Sequence, residues 1–449
     1  MTETSSRART RRAHQVGLNA RRAAIEILSR VLTDGRPLDT TLARSAESGL
    51  LTSLTQKDRA FARSLVSTAL RRKGQIDALI AAFSDKPLNR KKSGAAYETL
   101  LAGAAQILFM RVPAHAAIDL AVKAIAYDRR GGRKLGGYVN AVLRRIDREG
   151  AEALARQDAA RLSAPGWLYE SWTKAYGGPG ARAIAEAHLS EPPLDLTVPT
   201  DRATWASTLN AEEVGPVSLR LNGGGRIERL EGYEQGAWWV QDVAATLPAL
   251  LLRDVAGAHV YDLCAAPGGK TAQLAAAGAK VTAVESSAHR IERLKENLAR
   301  LNLEATCMHG DVLELSEASP ADAVLLDAPC SATGTIRRHP DIPHVKTKGD
   351  VRKLISLQAA LLRKAVRLVK PGGLLVYCTC SLQPEEGERQ VAKLLSEDPL
   401  IERLPITEAD QLKMPEAITA DGDLRTLPSH APGMDGFFAA RLRRRETHS

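Results

Sequence analysis

Apolar residues recur with a helical period through the first third of the chain. In segment 24–32 they fall at i, i+3, i+4, i+7 and i+8, which places them on one face of a helix. The same spacing returns in segments 117–125 and 139–146, and segment 56–73 adds a helix with basic residues on its polar side. The pattern predicts an all-α bundle over residues 19–155.

The pattern changes twice after this bundle. Residues 160–240 are richer in Pro, Gly and Trp, and the stretches EPPLDLTVPT and VSLRLNGGG predict short strands, so we expect a small α+β connector domain. Over residues 241–445 short apolar runs alternate with amphipathic helices, which predicts a mostly parallel sheet covered on both faces. Ligands of such sheets bind beyond the carboxyl ends of the strands.

Charge and composition indicate the partner and the compartment. The first 18 residues are polar, rich in arginine and without a period, which predicts a disordered basic tail over residues 1–18. The net charge of +10 favours an anionic partner, most simply nucleic acid, although solvated termini alone would also be basic. The sequence contains no run of about 18 apolar residues, so we expect no membrane span. The five scattered cysteines suit a reducing compartment, so we expect a cytoplasmic protein, with a transit peptide as the alternative.

The stretch DLCAAPGGKTAQLAAAG follows the first strand of the alternating region and opens a helix. It does not match a P-loop, because Cys264 stands where the first glycine is required, and it does not match the dinucleotide motif G-x-G-x-x-G. Gly268 and Gly269 allow backbone to come close to a ligand, and helix N-terminal amides favour anions. S-adenosylmethionine fits such a loop, because its carboxylate can meet these amides.

Two acids at the following strand ends extend this cofactor site. Glu285 ends the second strand and can accept both ribose hydroxyls, and Asp311 ends the third and can accept from the adenine amino group. A helix cap or a solvated turn is the alternative for either acid alone. Their occurrence at successive strand ends favours the cofactor site.

Two cysteines follow the fourth and fifth strands, Cys330 in Asp-Ala-Pro-Cys and Cys380 in Thr-Cys-Ser, so we expect both in one cleft. We expect no metal, because a metal site needs three or four ligands and no histidine stands beside these thiols and Cys378. A disulfide between Cys378 and Cys380 fits poorly, because Cα atoms two residues apart on a strand are separated by about 6.5 to 7 Å. Burial as an inert side chain best suits Cys378 and Cys307.

Two thiols beside a methyl donor suggest a specific chemistry. A thiolate that adds to carbon 6 of cytosine makes carbon 5 nucleophilic enough to attack a methyl sulfonium. The proton on carbon 5 must then leave, so one cysteine can add and another group can assist release. Asp327 is placed to act as an acid near ring nitrogen 3. Arg337, Arg338 and His339 follow Cys330, and positive charge would lower the pKa of a thiol.

These motifs resemble the bacterial RsmB (Sun/Fmu) family of 16S rRNA cytosine-5 methyltransferases. The phrases that carry the resemblance are DLCAAPGGKT, LLDAPCSATGTIRRHPDI, YCTCSLQPEE and the closing-hairpin segment HAPGMDGFFAARLRR. The N-terminal phrases RRAAIEILSRVL, DRAFARSLVSTALRR and GGYVNAVLRRI resemble the NusB-type RNA-binding domain fused in that family. The resemblance implies a NusB-like helical bundle and a Rossmann-like methyltransferase domain, with the connector domain between them.

The resemblance also implies roles for individual residues. Cys380 is similar to the nucleophile of the family and Cys330 to the thiol that assists product release, although DNA cytosine methylases attack with the Pro-Cys position instead. The implied cofactor-binding residues are Cys264, Ala265, Ala266, Pro267, Gly268, Gly269, Lys270, Glu285, Arg290, Asp311 and Asp327.

The first hypothesis is therefore an S-adenosylmethionine-dependent 16S rRNA cytosine-5 methyltransferase. We expect it to act as a monomer on naked rRNA or an early assembly intermediate, with no membrane partner. The same chemistry on tRNA is one alternative. A non-catalytic NusB-like RNA-binding or antitermination factor is the other, and binding of S-adenosylmethionine separates it from the enzyme.

Overall fold

The computed structural model describes residues 2–90, 92–222, 226–407, 410, 412 and 414–446, except for the side chains of residues 2–16. It divides into two compact units. The first, called the helical unit, comprises Met1–Thr173, Gly178–Ser190 and Ile336–Lys346. The second, called the sheet unit, comprises Lys174–Gly177, Glu191–Thr335 and Thr347–Ser449. Within the described residues, no helix combines the length and apolar character needed to cross a bilayer.

Helices and strands are numbered in chain order. The helices are α1 Thr2–Leu32, α2 Leu38–Glu47, α3 Gln56–Arg71, α4 Lys73–Phe83, α5 Ala96–Leu108, α6 Ala114–Ala126, α7 Gly136–Ala155, α8 Ala159–Leu162, α9 Gly166–Ala187, α10 Arg202–Thr208, α11 Val243–Leu250, α12 Gly269–Ala276, α13 Ala288–Leu301, α14 Ile342–Val345, α15 Lys348–Leu368 and α16 Glu388–Glu397. The strands are β1 Asp195–Thr197, β2 Ala211–Val214, β3 Ser218–Leu221, β4 Trp239–Val240, β5 His259–Leu263, β6 Lys280–Glu285, β7 Thr306–His309, β8 Ala321–Asp327, β9 Val369–Thr379, β10 Ile401–Arg403, β11 Leu424–Thr426 and β12 Phe437–Arg444.

The helical unit is a bundle built around α5. The first eleven residues of this helix are all buried, since apart from Glu98 and Gln106 its sequence AYETLLAGAAQ consists of apolar or small residues. It packs against α3, α6 and α7. Gly103 permits the approach to α7, since a Cβ at that position would lie 2.6 Å from Leu143 Cδ1. The all-α bundle predicted from the helical period is confirmed.

The first helix differs from the prediction for the chain's start. The structure continues α1 back to Thr2, through the segment for which the sequence predicts a disordered basic tail over residues 1–18. No glycine or proline stands between Thr2 and Val16, and arginine and alanine are good helix formers. The segment can therefore propagate the helix that Leu18 and the residues after it anchor in the core.

The sheet unit is built on a mixed sheet of order β10-β12-β9-β8-β5-β6-β7, with β11 paired to β12. Strands β9, β8, β5, β6 and β7 are parallel, and β12 runs antiparallel beside β9. The predicted mostly parallel sheet is thus confirmed. The strand order reverses at β5, which has β6 on one side and β8 on the other. Such a reversal opens a crevice at the carboxyl ends of the two strands that flank it, β5 and β8.

The predicted connector domain, residues 160–240, is not one compact unit. Most of α9 belongs to the helical unit, and the strands β1 to β4 form a small sheet of order β2-β3-β1-β4 within the sheet unit. The physical reason is that this sheet continues into α11: Val243 N donates to Asp195 Oδ2 at 3.4 Å, and α11 packs against β1. Its own core is small and centred on Leu196, Leu219 and Trp238.

The segment Ile336–Lys346 lies between β8 and α15 in the chain but belongs to the helical unit. Leu38 N, at the start of α2, donates to Asp341 Oδ2 at 2.9 Å, and Arg71 Nη2 donates to the Arg337 carbonyl at 2.8 Å. His339 Nδ1 lies 3.2 Å from Asp39 Oδ2. The segment after Cys330 is therefore anchored in the helical bundle through the Arg337 carbonyl, His339 and Asp341.

Candidate active site

The turn after β5 forms the core of the predicted cofactor site. Cys264 has a φ of 64° and Gly268 a φ of 102°, so the chain reverses tightly before α12 begins at Gly269. A Cβ on Gly268 would lie 3.1 Å from Leu294 Cγ, which, together with the left-handed backbone, requires glycine there. Burial, followed by the negative charge of Asp327 and Glu285, raises the pKa of Cys264 to about 12, so this thiol stays neutral.

Two buried hydrogen bonds hold α12 behind this turn. Thr271 Oγ1 donates to Asp262 Oδ2 at 2.6 Å, and Gln241 Nε2 donates to Gln273 Oε1 at 2.8 Å. Burial raises the pKa of Asp262 to about 7. These partners fix the helix whose N-terminal amides face the crevice, and they were not among the residues predicted from sequence.

Glu285, at the end of β6, presents a buried acceptor to the same edge. Its side chain is 3% exposed, and Oε1 accepts from Ser287 N at 2.9 Å. Oε2 lies 3.3 Å from Arg290 Nη1 but accepts no hydrogen bond from the described residues. Arg290 Nη2 also donates to the Ala266 carbonyl of the cofactor turn. A buried oxygen without a donor is suited to a ribose hydroxyl.

Asp311 lies beside this position but is solvent-exposed. Gly310 N donates to the Glu285 carbonyl at 3.1 Å, which joins the ends of β6 and β7. Asp311 Oδ1 accepts from Leu313 N at 2.9 Å and so caps a short 3-10 turn. The cap considered as an alternative for this residue is therefore present, and it leaves the carboxylate at the same strand edge as Glu285.

Asp327 connects the cofactor turn to the cysteine-bearing strands. Its Oδ2 accepts from Lys270 Nζ at 2.7 Å, and its Oδ1 accepts from Cys378 Sγ at 3.6 Å. Burial lowers the pKa of Lys270, but the negative charge of Asp327 outweighs this, so the pKa is raised. Burial and then the charge of Asp327 raise the pKa of Cys378 well above its ordinary value. Cys378 is thus a buried thiol that positions Asp327.

Cys330 and Cys380 lie together at the ends of β8 and β9, where their Sγ atoms are 3.5 Å apart. The parallel register, which places Asp327 opposite Cys378, brings the two turns side by side. The pKa of Cys330 is raised well above its ordinary value, first by its hydrogen bond with Cys380 and then by burial and the nearby charges of Cys380 and Glu386. Cys330 therefore keeps its proton beside Cys380, and either sulfur can donate the hydrogen bond between them.

A fully buried carboxylate, Glu386, joins the two cysteine turns. Its Oε1 accepts from Ser331 N at 2.9 Å and from Gln358 Nε2 at 3.0 Å. Its Oε2 accepts from the hydroxyls of Ser331 and Ser381, the latter at 2.6 Å. Ser331 follows Cys330 and Ser381 follows Cys380, so one side chain fixes both turns. Glu386 was not among the residues predicted from the sequence, although two serines, each directly after a candidate cysteine, were a usable signal.

Gly334, in the turn after Cys330, contacts the backbone of two other segments. Gly334 N donates to the Cys380 carbonyl at 3.0 Å, and a Cβ at residue 334 would lie 1.9 Å from the Gly436 carbonyl oxygen. We expect Gly334→Ala to lower the free energy of unfolding of the sheet unit by about 3 kcal/mol, because backbone must move. Denaturant unfolding measures this loss. Gly349→Ala, whose Cβ would meet only Thr347 Oγ1 at 3.5 Å, is the matched control and should change little.

We expect Glu386→Gln to lower kcat on the order of 100-fold, because an amide NH2 cannot accept from the two serines and the cysteine turns shift. The dissociation constant for S-adenosylmethionine should change less than about twofold, since the Glu386 carboxylate bonds to Ser331, Gln358 and Ser381 and, among the described residues, to none of the cofactor turn. Single-turnover kinetics and calorimetry give the two quantities. Glu385→Gln is the control, because that side chain is 36% exposed and pairs with Arg389 on the surface. Equal kcat values for both variants would contradict a positioning role.

Two family models match the chain. The model for 16S rRNA methyltransferase RsmB/F matches residues 249–443, and the model for the NusB family matches residues 18–148. The chain is 35% identical to ribosomal RNA small subunit methyltransferase B of Pasteurella multocida, over 95% of this chain and 96% of that protein. The chain belongs to the RsmB/F family of 16S rRNA methyltransferases.

Solved structures agree with this membership. The crystal structure of PH0851 is 25% identical, with a TM-score of 0.75 over 95% of this chain and 99% of that chain. A methyltransferase homologue from Pyrococcus horikoshii is 28% identical, with a TM-score of 0.51 over 62% of this chain and 93% of that chain. The NusB-type helical fold and the methyltransferase fold predicted from the sequence are both confirmed.

Membership in the RsmB/F family makes the chain a small-subunit rRNA methyltransferase that uses S-adenosylmethionine. The residues present fit this cofactor. The glycine turn at residues 268–269 leaves room for close approach, and Glu285 Oε2 is a buried acceptor without a hydrogen-bond donor among the described residues. When bound, the cofactor supplies an electrophilic methyl group on a sulfonium.

Proposed function

We propose that the enzyme methylates carbon 5 of a cytosine in 16S rRNA through a covalent bond between Cys380 and carbon 6. The observation that carries this proposal is the separation of 3.5 Å between the Sγ atoms of Cys330 and Cys380 at adjacent strand ends. A methyltransferase acting on an oxygen or an exocyclic nitrogen needs no thiol, whereas carbon 5 becomes nucleophilic only after addition to carbon 6. Two thiols in one cleft match the two demands of that reaction.

Cys380 is the proposed nucleophile. Its thiolate forms a bond to carbon 6, and the electrons displaced from the 5,6 double bond make carbon 5 the attacking atom. The carbon 5–methyl bond forms as the methyl–sulfonium bond breaks. The carbon 5 proton then passes to a base, the double bond re-forms and the carbon 6–sulfur bond breaks. The net products are 5-methylcytosine, the demethylated cofactor and one proton.

Cys330 is the proposed base for that proton. In the free enzyme its pKa is raised largely by Cys380, so it stays protonated while Cys380 attacks. Once Cys380 is a neutral thioether, that contribution disappears, and Cys330 can lose its proton to solvent. Its thiolate then accepts the carbon 5 proton. The restored thiol donates a hydrogen bond to Cys380 as that sulfur departs, which improves the leaving group.

Asp327 and Lys270 are the proposed groups at the ring nitrogen edge. Lys270 Nζ donates to Asp327 Oδ2 at 2.7 Å, so the protons of this pair are held by the buried ammonium group of Lys270. Addition to carbon 6 builds negative charge on ring nitrogen 3 and the carbonyl oxygen. A proton or hydrogen bond delivered by this pair would stabilise that charge. The carboxylate orients the lysine rather than acting as a free acid.

The substrate follows from the chemistry. A cytosine must leave its stack to meet a thiolate, at a cost of a few kcal/mol that is lowest in a loop or unfolded RNA. We infer that a monomer acts in the cytoplasm on naked 16S rRNA or an early assembly intermediate. The NusB-type bundle would supply affinity for phosphate that does not depend on sequence.

The test is methyl transfer from labelled S-adenosylmethionine to a 16S rRNA transcript, to intact small subunits and to tRNA. Nucleoside mass spectrometry of the product should show 5-methylcytosine on the naked transcript, with less on intact subunits and none on tRNA. Bisulfite sequencing of rRNA from a deletion strain should locate the missing mark. A product methylated at another atom, or labelling of tRNA alone, would overturn the proposal.

A further inference from the structure

The helical unit carries a cavity of about 540 Å³ that none of the chemistry above uses. It lies among α1, α5 and the turn that follows α6. Four arginines line it, two of them from α1 and two from the sequence Tyr-Asp-Arg-Arg after α6, together with the acids Glu26 and Asp128. A volume of this size accommodates a nucleotide-sized ligand.

Tyr127 is the aromatic element of this cavity. Its side chain is 56% exposed, although it stands at the C-terminal end of a helix with a largely buried face. The Arg22 guanidinium lies 4.6 Å from the centroid of the ring, so one face of the ring carries a cation. An exposed ring backed by a guanidinium is a platform on which an unpaired base can stack.

The turn that carries the arginines is rigidly built. Asp128, with 6% of its side chain exposed, accepts from Gly132 N at 2.7 Å and from Ala95 N at 3.4 Å. Arg130 is held by Asp128 at 3.2 Å, and its Nη1 donates to Ser29 Oγ at 2.9 Å. This anchoring fixes the backbone on both sides of Arg129, so a ligand would meet a preformed site.

The four arginines of the cavity fall into two pairs, one held by an acid and one with its charge available. Arg30 and Arg130 are both drawn to Glu26, with nitrogen–oxygen separations of 3.1 Å and 3.7 Å. Arg22 and Arg129 form no ion pair within the part of the chain that the structure describes. A cavity with one open aromatic face and two unneutralised guanidinium groups is complementary to a nucleotide: the base stacks and the phosphates meet the arginines.

We propose that this cavity, named the Tyr127 pocket, binds an unpaired nucleotide of single-stranded RNA. The inference rests on the proposed function in one respect, since it assumes that RNA is the substrate. It adds the position on the NusB-type bundle where the RNA is held and the recognition chemistry, which is stacking plus phosphate contact. Duplex RNA should not use the pocket, because its bases are already stacked and paired.

The test measures binding of full-length protein to a fluorescein-labelled single-stranded RNA by anisotropy, over a range of salt concentrations. Tyr127→Ala should weaken binding at least fivefold without changing the salt dependence, because base–aromatic stacking contributes about 1–3 kcal/mol. Tyr127→Phe keeps the ring and should bind as the wild type does. Arg129→Gln should reduce the slope of log affinity against log salt by about 0.7, the value for one phosphate contact on a single strand.

The matched charge control is Arg156→Gln at the end of α7, whose side chain is 75% exposed and outside the pocket. It should leave both the affinity and the slope unchanged, and a fully paired duplex should show no effect of Tyr127→Ala. Wild-type affinity and slope in both pocket variants would overturn the inference, as would an equal loss for Arg156→Gln. If methyl transfer still depends on Cys380 in that case, the pocket inference fails while the proposed function stands.

Discussion

Replacing Cys380 with alanine is expected to lower methyl transfer to 16S rRNA by at least about 10⁴-fold, the scale seen when a catalytic nucleophile is removed. Without the thiolate, carbon 5 of cytosine remains a poor nucleophile, and no neighbouring group replaces it. Cys330 does not replace it, because the Cys330 Sγ lies 3.5 Å from that of Cys380, at the end of a different strand, and so is displaced from the attacking position. Transfer of a labelled methyl group to an rRNA transcript measures the effect.

The controls for Cys380→Ala separate chemistry from folding. Binding of S-adenosylmethionine should be retained, because the cofactor turn and Glu285 lie on other strands. Cys307→Ala removes a partly buried thiol on β7 whose Sγ donates to the Ala305 carbonyl at 3.8 Å, and it should keep full activity. If Cys380→Ala retained more than about a tenth of wild-type turnover, the covalent mechanism through this residue would be wrong.

The elements of the sheet unit were predictable because their signals are local. A buried parallel strand appears as a short apolar run, and the residues at its carboxyl end must lie at the ligand edge. That rule alone placed Glu285, Asp327, Cys330 and Cys380 at one edge of the sheet. The 3.5 Å separation of the two sulfurs depends on the parallel register of β8 and β9 and on a backbone contact at Gly334. Neither is encoded in any single segment.

What the sequence did not reveal are partnerships between distant segments. Glu386 stands in a phrase that reads as a surface turn, yet it is fully buried, because the Ser331 amide and hydroxyl, the Ser381 hydroxyl and the Gln358 amide surround it. Likewise, the basic run after Cys330 suggested activation of the thiol. The backbone of that run also accepts from Arg71 in the helical bundle, 266 residues earlier in the chain. Spacing in sequence carries no information on such contacts.

Cys330→Ala is expected to trap the enzyme on its substrate rather than simply inactivate it. Addition and methyl transfer require Cys380 and still proceed, but the base that removes the carbon 5 proton is missing. Elimination of Cys380 from carbon 6 then becomes the slow step. The wild type should leave little protein bound to RNA after denaturation, whereas Cys330→Ala should convert a large share of the enzyme into a complex that survives denaturing electrophoresis.

Three comparisons make the Cys330→Ala result decisive. Adding Cys380→Ala to Cys330→Ala should abolish the complex, because the bond to RNA is made by that sulfur. Omitting S-adenosylmethionine should greatly reduce the complex, because an unmethylated adduct reverses by loss of Cys380 without any proton leaving carbon 5. Cys378→Ala, which removes the buried thiol beside Asp327, should not accumulate the complex. A Cys330→Ala enzyme that turned over without any adduct would show that another group removes the carbon 5 proton, and the 3.5 Å contact would then serve only to hold Cys380 in place.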